Sequence, residues 1–227
     1  MENGKTIQAN CILNKCTRTI SSSIAVVTGV IGIFHGIAEV LQGDRPTIDI
    51  GARIGAFSVI PNYLLTGLIT LIISGLILWC GFCLIHRRIG PLLYLALSLL
   101  QFSAGGGIAI VPGFILGFIT ASQIRKPLVF WEKRISEKWR LRFSSMWKES
   151  IISGFCLLAV GILIWIFLTP PVKVYDISIT QYICWIFLVL GFVVVLFGII
   201  AGFSRDLIYS KIRPSLSNVN EGKLRDN

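Results

Sequence analysis

The chain has 227 residues, 54% of them hydrophobic and 14% charged, with a net charge of +10 and a mean hydropathy of +0.79. Soluble domains carry about 25% charged residues. Here the deficit is concentrated in long charge-free stretches, which excludes an ordinary soluble core and points to membrane spans. The positive balance raises the question of nucleic acid, but the basic residues flank apolar runs, so no nucleic-acid partner is expected.

Residues 1–19 are polar and read as a cytoplasmic N-terminal segment. The run from Ile20 to Leu41 is longer than a signal-peptide core and lacks a small-x-small cleavage pattern, so it reads as a retained first span. At 100° per residue, Thr28, Gly32, His35, Gly36, Glu39 and Gln42 fall within about 120° of one helical face. Val26, Val30, Ile33 and Ile37 fall opposite. Lipid accepts the aliphatic stripe, whereas the polar stripe needs protein or water, because ionisable groups in lipid cost several kcal/mol. Gly32 and Gly36 form a G-x-x-x-G pair, which permits close helix approach. His35 and Glu39 are four apart and meet on one face. Such a pair suits an interhelical hydrogen bond, a shared proton, or a polar ligand. No metal and no other cofactor is expected, since the only other histidine, His86, lies at the opposite end of the next span.

The second span is Pro61–Ile85. Asn62 and Tyr63 open it and are candidate ligands at the depth of His35 and Glu39, beneath the loop Gly43–Ile60 with Asp44, Asp49 and Arg53. Near its end, Trp79-Cys80-Gly81-Phe82-Cys83 resembles a thioredoxin-type motif. That motif works at a helix N-terminus after a strand, whereas here it closes a membrane helix, where the dipole disfavours a thiolate. Ordinary span cysteines are expected, with a redox role or a four-thiolate site shared with Cys11 and Cys16 as the alternatives.

Gly90–Ile124 is too long for one span and short for two. Gly105-Gly106-Gly107 and Pro112 punctuate it, predicting a hairpin of Pro91–Gly106 and Ile108–Ile124, with one long kinked span as the alternative. Gln101 and Ser103 lie toward the outer end of the third span, and Gln101 joins the candidate binding set.

Residues 125–149 carry eight basic and three acidic residues, with Trp131, Ile135, Trp139, Phe143 and Trp147 recurring every four. This predicts a basic amphipathic helix at the cytoplasmic surface, with Trp131, Trp139 and Trp147 at headgroup depth and Arg134 and Lys138 toward anionic lipid. Docking of a cytoplasmic partner is the alternative. The last spans are Ile151–Thr169 and Gln181–Phe203, a two-span hairpin over 150–204, followed by a cytoplasmic tail at 205–227. Gly198 and Gly202 are candidates for packing in a homo-oligomer or against a membrane partner.

The expected fold class is thus an all-α integral membrane protein, a bundle of six transmembrane helices (five as the alternative) with both termini cytoplasmic. Residues 20–124 form a four-span unit. Six spans place 18 of the 21 basic residues on the cytoplasmic side, leaving only Arg45, Arg53 and Lys173 outside. The cell membrane is the expected location.

His35-Gly36-Ile37-Ala38-Glu39 with Leu41-Gln42-Gly43, Ile60-Pro61-Asn62-Tyr63-Leu64-Leu65-Thr66-Gly67, and Gly105-Gly106-Gly107 with Pro112 together resemble a group of uncharacterised prokaryotic multi-pass membrane proteins. The resemblance covers about the first 125 residues. It implies a multi-pass membrane protein, no established activity and no catalytic residues. A structural or accessory membrane protein is the first functional expectation. A small transporter or ligand-binding protein using His35 and Glu39 is the second. An enzyme is third, because no nucleophile–base set or metal quartet is visible.

Overall fold

The computed structural model describes residues 14–46, 60–105, 110–168 and 179–225, with the backbone alone described for 165–168 and 211–225. Every described element is helical: α1 Lys15–Val40, α2 Tyr63–Trp79, α3 Gly90–Ser103, α4 Val111–Gln123, α5 Val129–Arg134, α6 Glu137–Ser144, α7 Trp147–Leu168 and α8 Ile179–Arg225. Among the described residues, four segments are long and apolar enough to cross a membrane: Lys15–Val40, Tyr63–Leu84, Trp147–Ile164 and Ile179–Ser210. The chain divides into two compact units, Met1–Pro127 and Leu128–Asn227.

In the first unit, α1 packs on α2 and α4, and α3 packs on α2 and α4. The four helices therefore form a ring in which α1 and α3 face each other diagonally. The turn after α2 returns the chain to α3, and α3 and α4 run in opposite directions. α4 finishes beside the start of α1, where the Asn14 side-chain amide donates to the carbonyls of Gln123 (2.7 Å) and Lys126 (2.9 Å). The Asn14 backbone N–H adds a bond to Ile124 O at 2.9 Å. Asn14 thereby satisfies carbonyls that the end of α4 leaves open.

The reversal between α3 and α4 follows from their sequence. Gly105 takes φ +113°, a conformation that favours glycine. Pro112 sits in the first turn of α4, where its missing N–H costs nothing. The single long kinked helix is not what the chain forms. The two helices are short, with 14 and 13 residues, or roughly 21 and 20 Å against a hydrocarbon core of about 30 Å.

Glycine sets the closeness of α1 and α2. A Cβ at Gly67 would lie 2.7 Å from the Gly36 carbonyl, and one at Gly29 would lie 3.1 Å from the Ser74 carbonyl. At the far end of α2 the helix widens into a π-type turn over Cys80–Leu84, where Ile85 N–H reaches back to the Cys80 carbonyl at 2.7 Å. Ser22 of α1 donates to the Gly81 carbonyl at 2.7 Å, supplying a partner where the widened turn disturbs the regular ladder.

The second unit is an antiparallel pair, α7 and α8, with α5 and α6 laid on α8. Gly154 and Gly191 let α7 and α8 approach closely: a Cβ at Gly191 would meet Leu158 N at 2.9 Å and Gly154 O at 3.0 Å. Gly198 packs on Ile151 of α7 and Gly202 is buried. Gly198 thus serves packing of α8 on α7.

The basic stretch also departs from expectation. It is not one amphipathic helix over 125–149 but two short helices, broken where Ile135 and Ser136 are extended. The Arg140 side chain fills the break, with Nε donating to Ile135 O at 2.9 Å and the guanidinium 3.8 Å from Glu132. Arg125 and Lys126 belong to the first unit. The spacing of four was a packing signal: Trp131 lies against Phe203 (5.1 Å between ring centroids) and Phe143 against Phe197 (5.1 Å). α7 begins at Trp147 and α8 stays helical to Arg225, so neither the expected boundary at 150 nor that at 204 marks a helix end.

Candidate functional site

Three helices of the first unit turn small and polar faces toward the space between α1 and α3. α1 supplies Thr28, Gly32, Gly36 and Glu39; α2 supplies Thr66, Thr70 and Ser74; α3 supplies Tyr94, Ser98 and Gln101. The spacings are those of one helical face. All these side chains are buried, Gln101 completely and Glu39 to within 2%.

The contacts across the diagonal form a ladder. At the base, the Thr28 and Tyr94 hydroxyls lie 3.1 Å apart, and Tyr94 donates to the Gly113 carbonyl in the first turn of α4 at 3.0 Å. Above them, the Gln101 amide crosses the space that Gly32 leaves: a Cβ at Gly32 would fall 1.7 Å from Gln101 Nε2. Gln101 Nε2 donates to Ser74 Oγ (2.8 Å), and Ser74 donates to Thr70 O (2.6 Å). Because the Ser74 proton is committed to Thr70, Ser74 accepts from Gln101, and this fixes which end of the amide faces it. At the top, the Glu39 carboxylate lies against Gly105, and Thr70 donates to Ala104 O at 3.3 Å.

Several polar atoms in this space have no hydrogen-bond partner among the described residues. They are both Glu39 carboxylate oxygens, His35 Nε2 and Gln101 Oε1. His35 Nε2 stands 3.6 Å from Glu39 Oε1, an ion-pair separation longer than a hydrogen bond, and the His35 side chain is 32% exposed. Buried polar groups are normally satisfied, so a cluster of open acceptors calls for a physical cause such as bound water or an ion.

Of the six residues expected in a binding set, the structure pairs His35 with Glu39, whereas Gln101 is held lower on the bundle against Gly32 and Ser74. The other three have local partners. Asn62 caps α2, accepting from Leu65 N–H at 3.0 Å and donating to Asp44. The Tyr63 backbone pairs with Arg45 O at 3.1 Å. Gln42 is exposed beyond the end of α1 and donates to Ala38 O at 3.3 Å. The residues missed from sequence are Thr70, Ser74, Tyr94 and Ser98. Their signal was present as the i, i+4 spacings Thr66–Thr70–Ser74 and Tyr94–Ser98, but each lies in a strongly apolar run.

The remaining expected groups are placed as follows. Cys80 is buried, with Sγ 3.9 Å from Gly90 O, while Cys83 is exposed. No group of three or more His, Cys, Asp or Glu among the described residues is arranged to hold a metal ion, and Cys11 lies outside the described residues. His86 sits at the other end of the unit from His35; Arg125 donates to its carbonyl at 3.5 Å. Burial first, then the positive charges of Arg18, Arg87 and Arg125, hold its imidazole below the ordinary value. Trp147 is buried, Trp131 is half-buried, and Trp139, Arg134 and Lys138 are exposed.

The described residues are therefore all-helical in their regular structure, with four candidate membrane-spanning helices and a buried polar ladder. No protein-family description, curated protein or solved structure matches the chain.

Proposed function

We propose that the protein is a multi-pass membrane protein of the cell membrane that binds a small cation, hydronium included, at Glu39. The carrying observation is that both Glu39 oxygens are buried without a hydrogen-bond donor among the described residues. An accessory protein held together only by packing has no use for an acceptor pair left open in its core, where an unsatisfied group costs about 1–3 kcal/mol and a charged one more. A bound cation supplies the missing partner and accounts for the retention of a carboxylate at that depth. This favours the small-transporter or ligand-binding reading over the structural one. In it, α1, α2, α7 and α8 cross fully, the short α3 and α4 form a hairpin of two further crossings, and both termini are cytoplasmic, with the basic residues inside.

Glu39→Gln and Glu39→Leu test this in the purified full-length protein. A cation that binds only the folded state raises the melting temperature by mass action. Across a screen of pH, alkali cations and small amines, the wild type should gain stability with one of them, and Glu39→Gln should fold but lose that gain. Identical responses of wild type and Glu39→Gln would return the protein to the accessory class.

A second reading concerns α5 and α6, for which we propose contact with anionic lipid. Arg134 lies over the Phe130 ring (4.8 Å) and Arg142 over the Trp139 ring (5.8 Å), and both rings are exposed. Exposed aromatics sheathed by arginines match a headgroup layer. In vesicles, the emission of the full-length protein should shift with anionic lipid content, and Trp139→Ala should remove that shift.

A further inference from the structure

Resting on the reading of the chain as a membrane protein, and independent of Glu39, we infer a lipid site at the end of the first unit where α1 begins and α4 finishes. It binds the phosphate of an anionic lipid headgroup, held by Arg18, Arg87 and Arg125 around His86.

Three chain segments meet at this end. Arg18 stands in the first turn of α1, Arg87 in the turn after α2, and Arg125 just past the end of α4. Hydrogen bonds to backbone tie the segments together: Asn14 donates to the Gln123 and Lys126 carbonyls, Ser22 to the Gly81 carbonyl, and Arg125 Nη1 to the His86 carbonyl at 3.5 Å. The fold thereby fixes where each arginine leaves the backbone. After burial, the charges of all three hold the His86 imidazole below its ordinary value, so they gather about one point. His86 and Arg125 are half-buried while Arg18 and Arg87 are exposed, which leaves the cluster open to a ligand.

No carboxylate offsets these charges among the described residues of the unit. Its described acidic residues are Glu39 and Asp44, and both lie at the opposite end. Lys15, Arg88 and Lys126 add positive charge from the same three segments. α1 has no acidic residue in its first turn, and the Asn14 side chain makes no cap bond there. Lys15 and Arg18 therefore sit at the positive end of the helix dipole, where cations are disfavoured. Like charges gathered in this way call for an anion that accepts from several N–H donors at once. A phosphate does so, and arginine is its bidentate partner.

The neighbours choose the carrier of that phosphate. His86 and Arg87 follow directly on Leu84 and Ile85, where the second candidate span ends, so they stand at headgroup depth. Trp79, Phe82 and Ile89 are exposed beside them, and an apolar rim next to a basic cluster suits acyl chains below headgroups. A lipid supplies both the phosphate and the chains, whereas inorganic phosphate supplies one. By linkage, a phosphate bound among the arginines also raises the His86 imidazole, and the imidazolium in turn tightens the hold on phosphate.

His86 is the reporter. Its imidazole titration is followed by NMR in the full-length protein in nanodiscs and assigned by its loss in His86→Gln. With phosphatidylglycerol and phosphatidylcholine in equal amounts, the midpoint should lie about one pH unit above that in phosphatidylcholine alone. In the double variant Arg18→Gln with Arg125→Gln this response should largely disappear, and the two single variants keep the test available if the double folds poorly. Native mass spectrometry of the detergent-purified protein should show phosphatidylglycerol retained over phosphatidylcholine by the wild type and lost by the variants. An upward move of equal size in wild type and variants is a diffuse surface potential and overturns the site. An equal move with inorganic phosphate in phosphatidylcholine nanodiscs, with no lipid retained, overturns the lipid as carrier. Either failure leaves the reading of Glu39 standing, because that residue lies at the other end of the unit. A protein that stays dispersed in water without detergent overturns the membrane reading, and this inference with it.

Discussion

The carboxylate of Glu39 rests on the α-carbon of Gly105, so that a Cβ at position 105 would lie 2.7 Å from Oε1 and 3.1 Å from Oε2. The same glycine has φ +113°. Two independent constraints therefore act on one residue. Gly105→Ala should destabilise the protein by about 1–3 kcal/mol from backbone strain alone, with the collision adding to it. In the Glu39→Ala background only the strain remains, so the cost of Gly105→Ala should fall. Thermal unfolding of the four proteins in this cycle checks it, and full additivity would show that the two residues do not touch.

Gly32 and Gln101 make a second pair. Gly32→Ala should push the Gln101 amide off Ser74, stranding a buried amide at about 1–3 kcal/mol. In Gln101→Ala the space is vacated, and adding Gly32→Ala should then be much cheaper. The melting temperatures of the singles and the double report this coupling. A cost for Gly32→Ala that is the same in both backgrounds would show that the glycine answers to the helix backbones instead.

Asn14 distinguishes two kinds of cap. As an ordinary N-cap of α1 it would tolerate Asp. In the structure its side chain donates to two carbonyls at the end of α4, and a carboxylate cannot donate there. Asn14→Asp should therefore be at least as damaging as Asn14→Ala, by about 1–3 kcal/mol, in denaturant or thermal melts. A neutral Asn14→Asp variant would separate α1 from α4.

His86 supplies a pH dependence. Its folded value is lowered from 6.5, chiefly by burial and then by Arg18, Arg87 and Arg125. The unfolded chain therefore takes up a proton that the folded one resists. The stability that His86 protects is whole above 6.5 and declines as the pH falls through that value. His86→Gln should flatten this acid limb of the melting curve, and Arg125→Gln should raise the imidazole titration followed by NMR. An unmoved titration would remove Arg125 from its surroundings.

Two glycines predict opposite outcomes. Gly191→Ala places a Cβ 2.9 Å from Leu158 N, whereas Gly75→Ala meets nothing within 4 Å. The first should lower the melting temperature. The second should leave it unchanged or raise it, by up to about 0.5–1 kcal/mol of helix propensity.

Much of the first unit was legible in the sequence because its helices are long and their faces are chemically distinct. The stripe of α1 reads directly: Thr28, Gly32, Gly36 and Glu39 are buried while Val30 and Ile37 are exposed. The break around Gly105–Gly107 also read correctly, although α4 starts at Val111 and not at the expected Ile108, because glycine interrupts a helix and Pro112 fits only its first turn. The basic stretch forms two short helices where one was expected, because a spacing of four does not register the extended break at Ile135 and Ser136 or the distant side chains that the aromatics pack on. Trp131 and Phe143 pack on Phe203 and Phe197, which are 72 and 54 residues away in the chain, and no local pattern encodes that.

The sequence by itself determined an all-helical, membrane-like chain and the side of α1 that had to be hidden, because hydrophobic periodicity and the cost of ionisable groups in lipid act residue by residue. It also determined that Glu39 needed a partner. What only the tertiary structure decided is which partners are present and which are missing. Hydrogen-bond satisfaction depends on where α2 and α3 stand relative to α1: Ser74 is taken by Gln101, Asn62 by its own helix, and the Glu39 oxygens are left open over Gly105. A polar residue becomes a candidate site when its neighbours across the bundle fail to satisfy it, and that failure is a property of three-dimensional packing.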